Sequence, residues 1–173
     1  MGPPFYNSAT MTHLSILLCV LLVAAVLGPR NAAAQGQPNM YGPSVTADQA
    51  KSVAAAAVAE ARKNQWTMAI AIVDTAGDLV YFEKMDNTQV GSVEVAIAKA
   101  RSSARFKRPT KAFQDALAGG GAGLRVLSLE AAVAVEGGVP LLVSGRIVGA
   151  IGASGGAAEQ DGVTAAAGAA VLK

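Results

Sequence analysis

The segment spanning residues 137–156, GGVPLLVSGRIVGAIGASGG, constrains the fold of this chain more than any other stretch. Two short apolar runs, 141–143 and 147–151, flank the Ser144-Gly145 pair, and both have the composition of β-strands. Glycine at the second turn position tolerates the positive φ that two-residue hairpins require. We therefore predict a tight β-hairpin that is followed by a sharp exit at the closing glycine pair.

The amino-terminal stretch has the pattern of a secretory signal. Residues 14–27 form a largely apolar run, shorter than the about 18 residues that a membrane-spanning helix needs. Three alanines at 32–34 supply a small-residue cleavage site. We predict that residues 1–34, whose translation starts at Met1 or Met11, are removed on export, so that the protein is periplasmic or secreted. A retained membrane anchor is the alternative.

Removal of the signal would change the chemistry open to the chain. His13 and Cys19, the single histidine and the single cysteine, both lie within it. The mature chain would then lack zinc sites of Cys and His, and also Cys-His and Ser-His-Asp catalysis. Of 14 basic and 12 acidic residues, only Arg30 would leave with the signal. This near-neutral balance predicts no nucleic-acid partner and no stable membrane insertion after cleavage.

The first half of the mature chain predicts a helix and a hairpin. Residues 35–45 form a flexible leader that is either disordered or strapped to the domain. Thr46 and Gln49 have the spacing of a capping box, so a helix is expected from there to about Asn64. Runs 67–74 and 79–85 predict two strands. Met68, Ile70 and Ile72 should share one face, whereas Ala69, Ala71 and Val73 should share the other. Asp74 should bond amides of the turn.

The second half adds helices and the opening hairpin. In order, we expect a helix over about 92–106 that ends before Pro109, a short helix from Thr110 to about 117, a glycine-rich loop leading to 125–129, a strand at 133–135, the hairpin, and a helix over 157–172. Glu159 and Asp161 should complement the amino end of the last helix. The predicted strands form two groups joined internally by hairpins, and helices separate the two groups. This order predicts an α+β fold with an antiparallel sheet.

Three stretches carry a resemblance to a known family. DLVYFEKMDNT, IAKARSSARFKRPTKAF and EGGVPLLVSGRIVGAIGASGGAAEQD resemble the GlcG/HbpS family, the haem-degrading domain family or DUF336. The resemblance covers residues 46–173. It implies a five-stranded antiparallel sheet flanked by helices, profilin-like or PAS-like in shape, in a homo-oligomer from dimer to octamer.

The resemblance also implies a function. We expect an exported small-ligand-binding protein that binds haem or slowly degrades it. The alternative is an enzyme or binding module that acts on a small carboxylate in a catabolic pathway, with Lys99 or Arg105 on the substrate anion and Asp86 as the acid-base candidate. Whether the protein is an enzyme at all, and which residues would be catalytic, stays open.

Haem needs an apolar slot, positive charge near its propionates and, in many proteins, an axial ligand. The basic residues of the second helical stretch answer the second need: Lys99, Arg101, Arg105, Lys107, Arg108 and Lys111. The predicted ligand-binding residues are Met85, Asp86, Lys99, Arg105, Phe106 and Thr110. For the iron, the candidate ligands are Tyr81, Met85 and Thr110, with no metal site beyond that.

Each candidate also has a purely structural interpretation. A run of basic residues is also typical of a helix face exposed to solvent. A methionine at the end of a strand, such as Met85, is also typical of a residue packed in the core. Thr110 is typical of a helix cap. Phe106 and Phe113 have the spacing and size of core residues.

Overall fold

The computed structural model describes residues 1–2 and 40–172. The predicted cleavage site and most of the predicted signal lie outside these residues. Contacts divide the chain into residues 1–37 and 38–173, and the described helices and strands all belong to the second unit. Among the described residues, none of the helices has both the length and the apolar character needed to cross a bilayer.

Four α-helices, one 3₁₀ helix and four strands make up the described part of the chain. In chain order they are α1 (Ala47–Lys63), β1 (Ala69–Val73), β2 (Leu79–Lys84), α2 (Ser92–Phe106), α3 (Lys111–Ala118), the 3₁₀ helix (Gly121–Ser128), β3 (Gly138–Val143), β4 (Arg146–Ser154) and α4 (Ala158–Ala169). The predicted α+β class is confirmed.

The strands form one antiparallel sheet in the order β2-β1-β4-β3. Within residues 40–172 the sheet has four strands, so the prediction of a five-stranded sheet was wrong. The expected strand at 133–135 is a loop. The amide of Val133 donates to Ser102 Oγ (3.0 Å) on α2, so it is not available to a strand ladder. β3 includes Pro140, which faces Ala150 of β4.

The sheet is covered by helices on both faces. Met68, Ile70 and Ile72 pack with residues of α1 and α4, whereas Ala69, Ala71 and Val73 pack with α2. The predicted alternation is therefore confirmed. All five residues of β1 are buried, and each fully buried isoleucine contributes about 1.5–3 kcal/mol through removal of its side chain from water.

Local signals set the element boundaries as the sequence predicts. Thr46 and Gln49 form both bonds of the capping box at the start of α1. Asp74 Oδ1 accepts from the amides of Ala76 (2.8 Å) and Asp78 (2.9 Å) and so closes the β1–β2 turn. Ser144 (φ 49°) and Gly145 (φ 73°) form the two-residue turn between β3 and β4.

The described end of the leader, residues 40–45, is strapped to the domain. Gly42 and Val45 donate their amides to the Ile147 and Val148 carbonyls of β4, and the Ile147 amide donates to Met40. Tyr41 forms a single parallel bridge with Ile147. Of the two alternatives for the leader, the strapped one holds over these six residues.

Two helices in the second half differ from the expectation. The expected loop leading to residues 125–129 is the 3₁₀ helix, and α4 ends at Ala169 rather than at 172. α2 spans Ser92–Phe106 as predicted. It ends because Lys107 adopts a left-handed conformation (φ 56°) one residue beyond it, so the chain turns before Pro109 is reached.

Candidate functional site

The predicted basic run does not form one surface. One member, Lys99, points into the protein. Arg101 and Arg105 reach the β1–β2 turn, while Lys107 lies over the Tyr41 ring at 4.3 Å. Arg108 lies over the Phe113 ring, and Lys111 pairs with Asp115 on α3. The six basic side chains therefore lie in several separate environments.

Lys99 has a partner inside the protein. Its ammonium donates to Asp161 Oδ2 (2.6 Å) and to the Ala153 carbonyl oxygen (3.2 Å). Lys99 is 1% exposed and Asp161 3% exposed. Asp161 Oδ1 also accepts from the Gly156 amide (3.1 Å), so this carboxylate joins α2 to the start of α4. A ligand-binding role for Lys99 stays a prediction, and it would require this buried bond to break.

Thr110 occupies the first position before α3, but its hydroxyl does not cap that helix. Thr110 Oγ1 accepts from the Gly138 amide (2.9 Å), and the Thr110 amide donates to the Gly138 carbonyl oxygen (3.0 Å). A Cβ added at Gly138 would collide with the Lys99 carbonyl oxygen and with Thr110 Cγ2, so only glycine fits there. Thr110 is fully buried, and its contacts tie α3 to β3.

Tyr81, Met85 and Asp86 lie on or just after β2. The Tyr81 hydroxyl donates to Glu83 Oε2 (3.3 Å), and the negative charge of Glu83 raises the pKa of Tyr81 above 10.0. Met85 packs against the core that α1 and α4 cover, and Asp86 is exposed in a turn. Tyr81 also packs against that core, whereas Thr110 lies at the contact between α3 and β3.

A groove lies between α3 and the 3₁₀ helix. Its buried floor includes Phe113, whose ring meets Phe106 edge-on, with 5.2 Å between centroids and 82° between planes. α3 and the 3₁₀ helix touch at Ala116 and Gly123, where a Cβ added to the glycine would collide with the Ala116 carbonyl oxygen. The lining residues are Arg108, Ala112, Phe113, Ala116, Ala122, Gly123, Arg125, Val126 and Leu129. We call this space, of about 370 Å³, the α3 groove.

The α3 groove combines apolar walls with two guanidinium groups. Arg108 Cζ lies 5.4 Å from the centre of the Phe113 ring, and Arg125 belongs to the 3₁₀ helix. Beside the groove, Leu127 is 73% exposed and Leu124 52% exposed. Sequence reasoning assigned residues 125–129 to no helix or strand, and it therefore missed Arg125 and Leu129. The three-residue spacing of Val126 and Leu129 in GLRVLSL is the signal that could have pointed to a partly buried 3₁₀ helix.

Such an arrangement suits an amphipathic anion, because a flat apolar body can cover the walls while its acid groups meet the arginines. The fold and this groove define the class: a small α+β protein with helices on both faces of an antiparallel sheet and a groove of ligand size beside it. The family described as haem degrading protein HbpS-like matches residues 45–170. The chain belongs to this HbpS-like family, which confirms the resemblance found in the sequence.

Curated relatives agree with this assignment. The chain is 35% identical over 105 residues to protein GlcG of Escherichia coli strain K12, covering 61% of this chain and 77% of GlcG. It is 30% identical over 119 residues to an uncharacterized 15.0 kDa protein from the dhaT-dhaS intergenic region of Citrobacter freundii, covering 68% and 84%.

Solved structures share the fold. A double mutant of HbpS from Streptomyces reticuli superposes with a TM-score of 0.70 at 27% identity, covering 84% of this chain and 99% of HbpS. The PduOC:heme complex superposes with a TM-score of 0.67 at 27% identity, covering 75% and 96%. PduOC is thus a protein of this fold that binds haem.

Proposed function

We propose that this protein binds haem and holds the porphyrin in the α3 groove. The observation that carries the proposal is the haem complex of PduOC, whose fold this chain shares over 75% of its length. Membership of the HbpS-like family points the same way.

The α3 groove supplies two of the three features that haem requires. Its alanine, valine and leucine walls would remove porphyrin surface from water, at about 25 cal/mol per Å². The buried Phe113 ring would support the floor of the groove beneath the porphyrin. Arg108 and Arg125 would pair with the two propionates through charge-assisted hydrogen bonds.

The third feature, an axial ligand, is not met within the groove. None of its lining residues is histidine, cysteine, methionine or tyrosine. Tyr81, Met85 and Thr110 do not line the groove, and the charge of Glu83 raises the pKa of Tyr81, which disfavours the tyrosinate form that binds iron. Haem supplies a redox-active iron when bound, whereas the residues of this groove bind its ring and its propionates. Such binding would be reversible and would favour haem carriage.

We further propose that the protein works outside the cytoplasm as a homo-oligomer. The apolar run and the alanine cleavage pattern of residues 1–34 support export. Mass spectrometry of the protein recovered from the periplasm or the medium should give the mass of the chain that begins at Gln35. Light scattering of that material will measure the oligomeric state, where a monomer would contradict the proposal.

Haem binding is tested by titrating the purified protein with haemin and recording the Soret band. We expect a saturable shift. Arg125→Gln and Ala112→Glu should each lower the affinity for haemin by about tenfold or more. Arg125→Gln removes the partner of one propionate, and Ala112→Glu places a negative charge in the groove that repels the propionates. Arg62→Gln and Ala55→Glu, at exposed positions of α1, are the matched controls. If Arg125→Gln and Ala112→Glu bound haemin as tightly as the two controls do, haem would bind outside the α3 groove. The absence of a saturable shift in the unchanged protein would reject haem binding.

A further inference from the structure

We propose that a second cleft, separate from the α3 groove, binds a small monocarboxylate with a short apolar chain. This cleft has a volume of about 250 Å³ and lies between the outer face of α2 and the loop that follows the 3₁₀ helix. Arg101 and Arg105 line it together with Glu94. We call it the two-arginine cleft.

The two arginines are held in place by the β1–β2 turn. Arg101 Nε donates to the Gly77 carbonyl oxygen (3.0 Å), and Arg105 Nε donates to the Ala76 carbonyl oxygen (2.9 Å). Gly77 has a φ of 91°, and a Cβ added there would lie 2.8 Å from Arg105 Nε. Glycine therefore lets both side chains approach the turn, and these bonds fix the guanidinium groups before any ligand arrives.

Within the described residues, neither of the fixed guanidinium groups forms a direct ion pair. Among residues 40–172, no carboxylate lies within 4.0 Å of either group. The two residues are four apart on one helix, so their side chains lie side by side and like charges repel. With each Nε occupied, the terminal nitrogens remain as donors that match the two oxygens of a carboxylate.

The rest of the lining decides the kind of anion. Ile97 and Ala98 on α2 and Val133 on the loop form apolar walls. The carboxylate of Glu94 offsets one of the two positive charges, so the cleft has a net charge of +1. This charge matches a monoanion better than phosphate or a dicarboxylate, and the walls match a short hydrocarbon chain.

The loop wall is held in a fixed and unfavourable conformation. Ala131 has a φ of 64°, which a residue with a Cβ rarely adopts. Two residues on, the Val133 amide donates to Ser102 Oγ of α2. Backbone conformations of this kind concentrate at ligand sites, and here the loop closes one side of the two-arginine cleft.

The test is calorimetric titration of the purified protein with sodium butyrate, with butyramide as the neutral analogue of the same shape. We expect saturable binding of butyrate alone. Arg101→Gln and Arg105→Gln should each weaken it by about tenfold, because each removes charge-assisted hydrogen bonds. Arg62→Gln is the control. Equal binding of butyramide, or no saturable heat up to about 50 mM butyrate, would overturn the proposal.

Two further variants leave the turn bonds intact and therefore separate binding from folding. Ala98→Glu should abolish butyrate binding, whereas Ala55→Glu should not. Glu94→Gln should raise the affinity for inorganic phosphate by up to about fivefold, since it removes an exposed opposing charge. Unchanged phosphate affinity would contradict the assigned role of Glu94.

Ala112→Glu, which should weaken haem binding in the α3 groove, should leave butyrate binding unchanged. The two proposals can therefore fail independently.

Discussion

Lys99 Nζ lies 2.6 Å from Asp161 Oδ2, and both side chains are buried between α2 and α4. Removing one member of such a pair leaves the other charge without a partner in a poorly solvated site. We therefore expect Lys99→Met or Asp161→Asn alone to lower the free energy of unfolding by about 3–5 kcal/mol, as measured by urea denaturation. The double variant Lys99→Met/Asp161→Asn should lose much less than the sum of the two single changes, because neither buried charge is then left without its partner.

The exposed pair Lys111–Asp115 is the control for this prediction. Its atoms are 2.7 Å apart, but both side chains are at least half exposed. Lys111→Ala should cost only about 0–1 kcal/mol. If Lys99→Met proved as mild as Lys111→Ala, the buried pair would not stabilise the fold.

Thr110 and Gly138 give a second prediction, because the threonine hydroxyl is the acceptor for a buried amide. Thr110→Val keeps the shape of the side chain but leaves the Gly138 amide without that acceptor. We expect a loss of about 1–3 kcal/mol in stability and faster hydrogen exchange at Gly138. Thr110→Ser should retain both properties. Slow exchange at Gly138 in Thr110→Val would show that the hydroxyl is dispensable.

Tyr81 should titrate above its ordinary pKa of 10.0, because deprotonation would place a second negative charge beside Glu83. The folded protein then holds this proton more tightly than the unfolded chain does. Its contribution to stability is present below pH 10 and is lost as the pH rises through the folded pKa. Glu83→Gln should lower the midpoint of the tyrosinate absorbance change. An unchanged midpoint in this variant would rule out Glu83 as the cause.

The position of the iron can be tested with the candidate ligands of the sequence. Tyr81, Met85 and Thr110 do not line the α3 groove, so we expect Tyr81→Phe, Met85→Leu and Thr110→Val, each of which removes the candidate ligand atom, to leave the position of the Soret band of the haem complex unchanged. Arg125→Gln serves as the comparison, since it should weaken binding. A shifted band in any of the three ligand variants would identify an iron ligand outside the groove.

Features set by neighbouring residues could be predicted from the sequence. The two faces of β1 follow from strict alternation, and the Asp74 turn follows from bonds that span at most four residues. Contacts between distant residues could not be predicted this way. Lys99 and Asp161 are 62 residues apart, and their residue types are usually solvated.

The candidate site depended even more on distant contacts. The hydroxyl of Thr110 was assigned to the helix beside it, yet its partner is 28 residues away. Val133 belongs to a stretch with the composition of a strand, but Ser102 takes its amide, so the expected fifth strand does not form. Composition alone does not show which distant polar group will accept a hydrogen bond from a given backbone amide.

The sheet ends at β2 on one side and β3 on the other, and Pro140 lies in the middle of β3. Proline has no amide proton, so an approaching chain would find a gap in the row of donors along this margin. The opposite margin ends in the charged residues Glu83 and Lys84. Both borders therefore discourage extension of the sheet from one molecule to the next. A stable assembly of this protein should instead form through its helices and loops. Pairing of strands between the sheet edges of different molecules, as in fibrils, should be disfavoured.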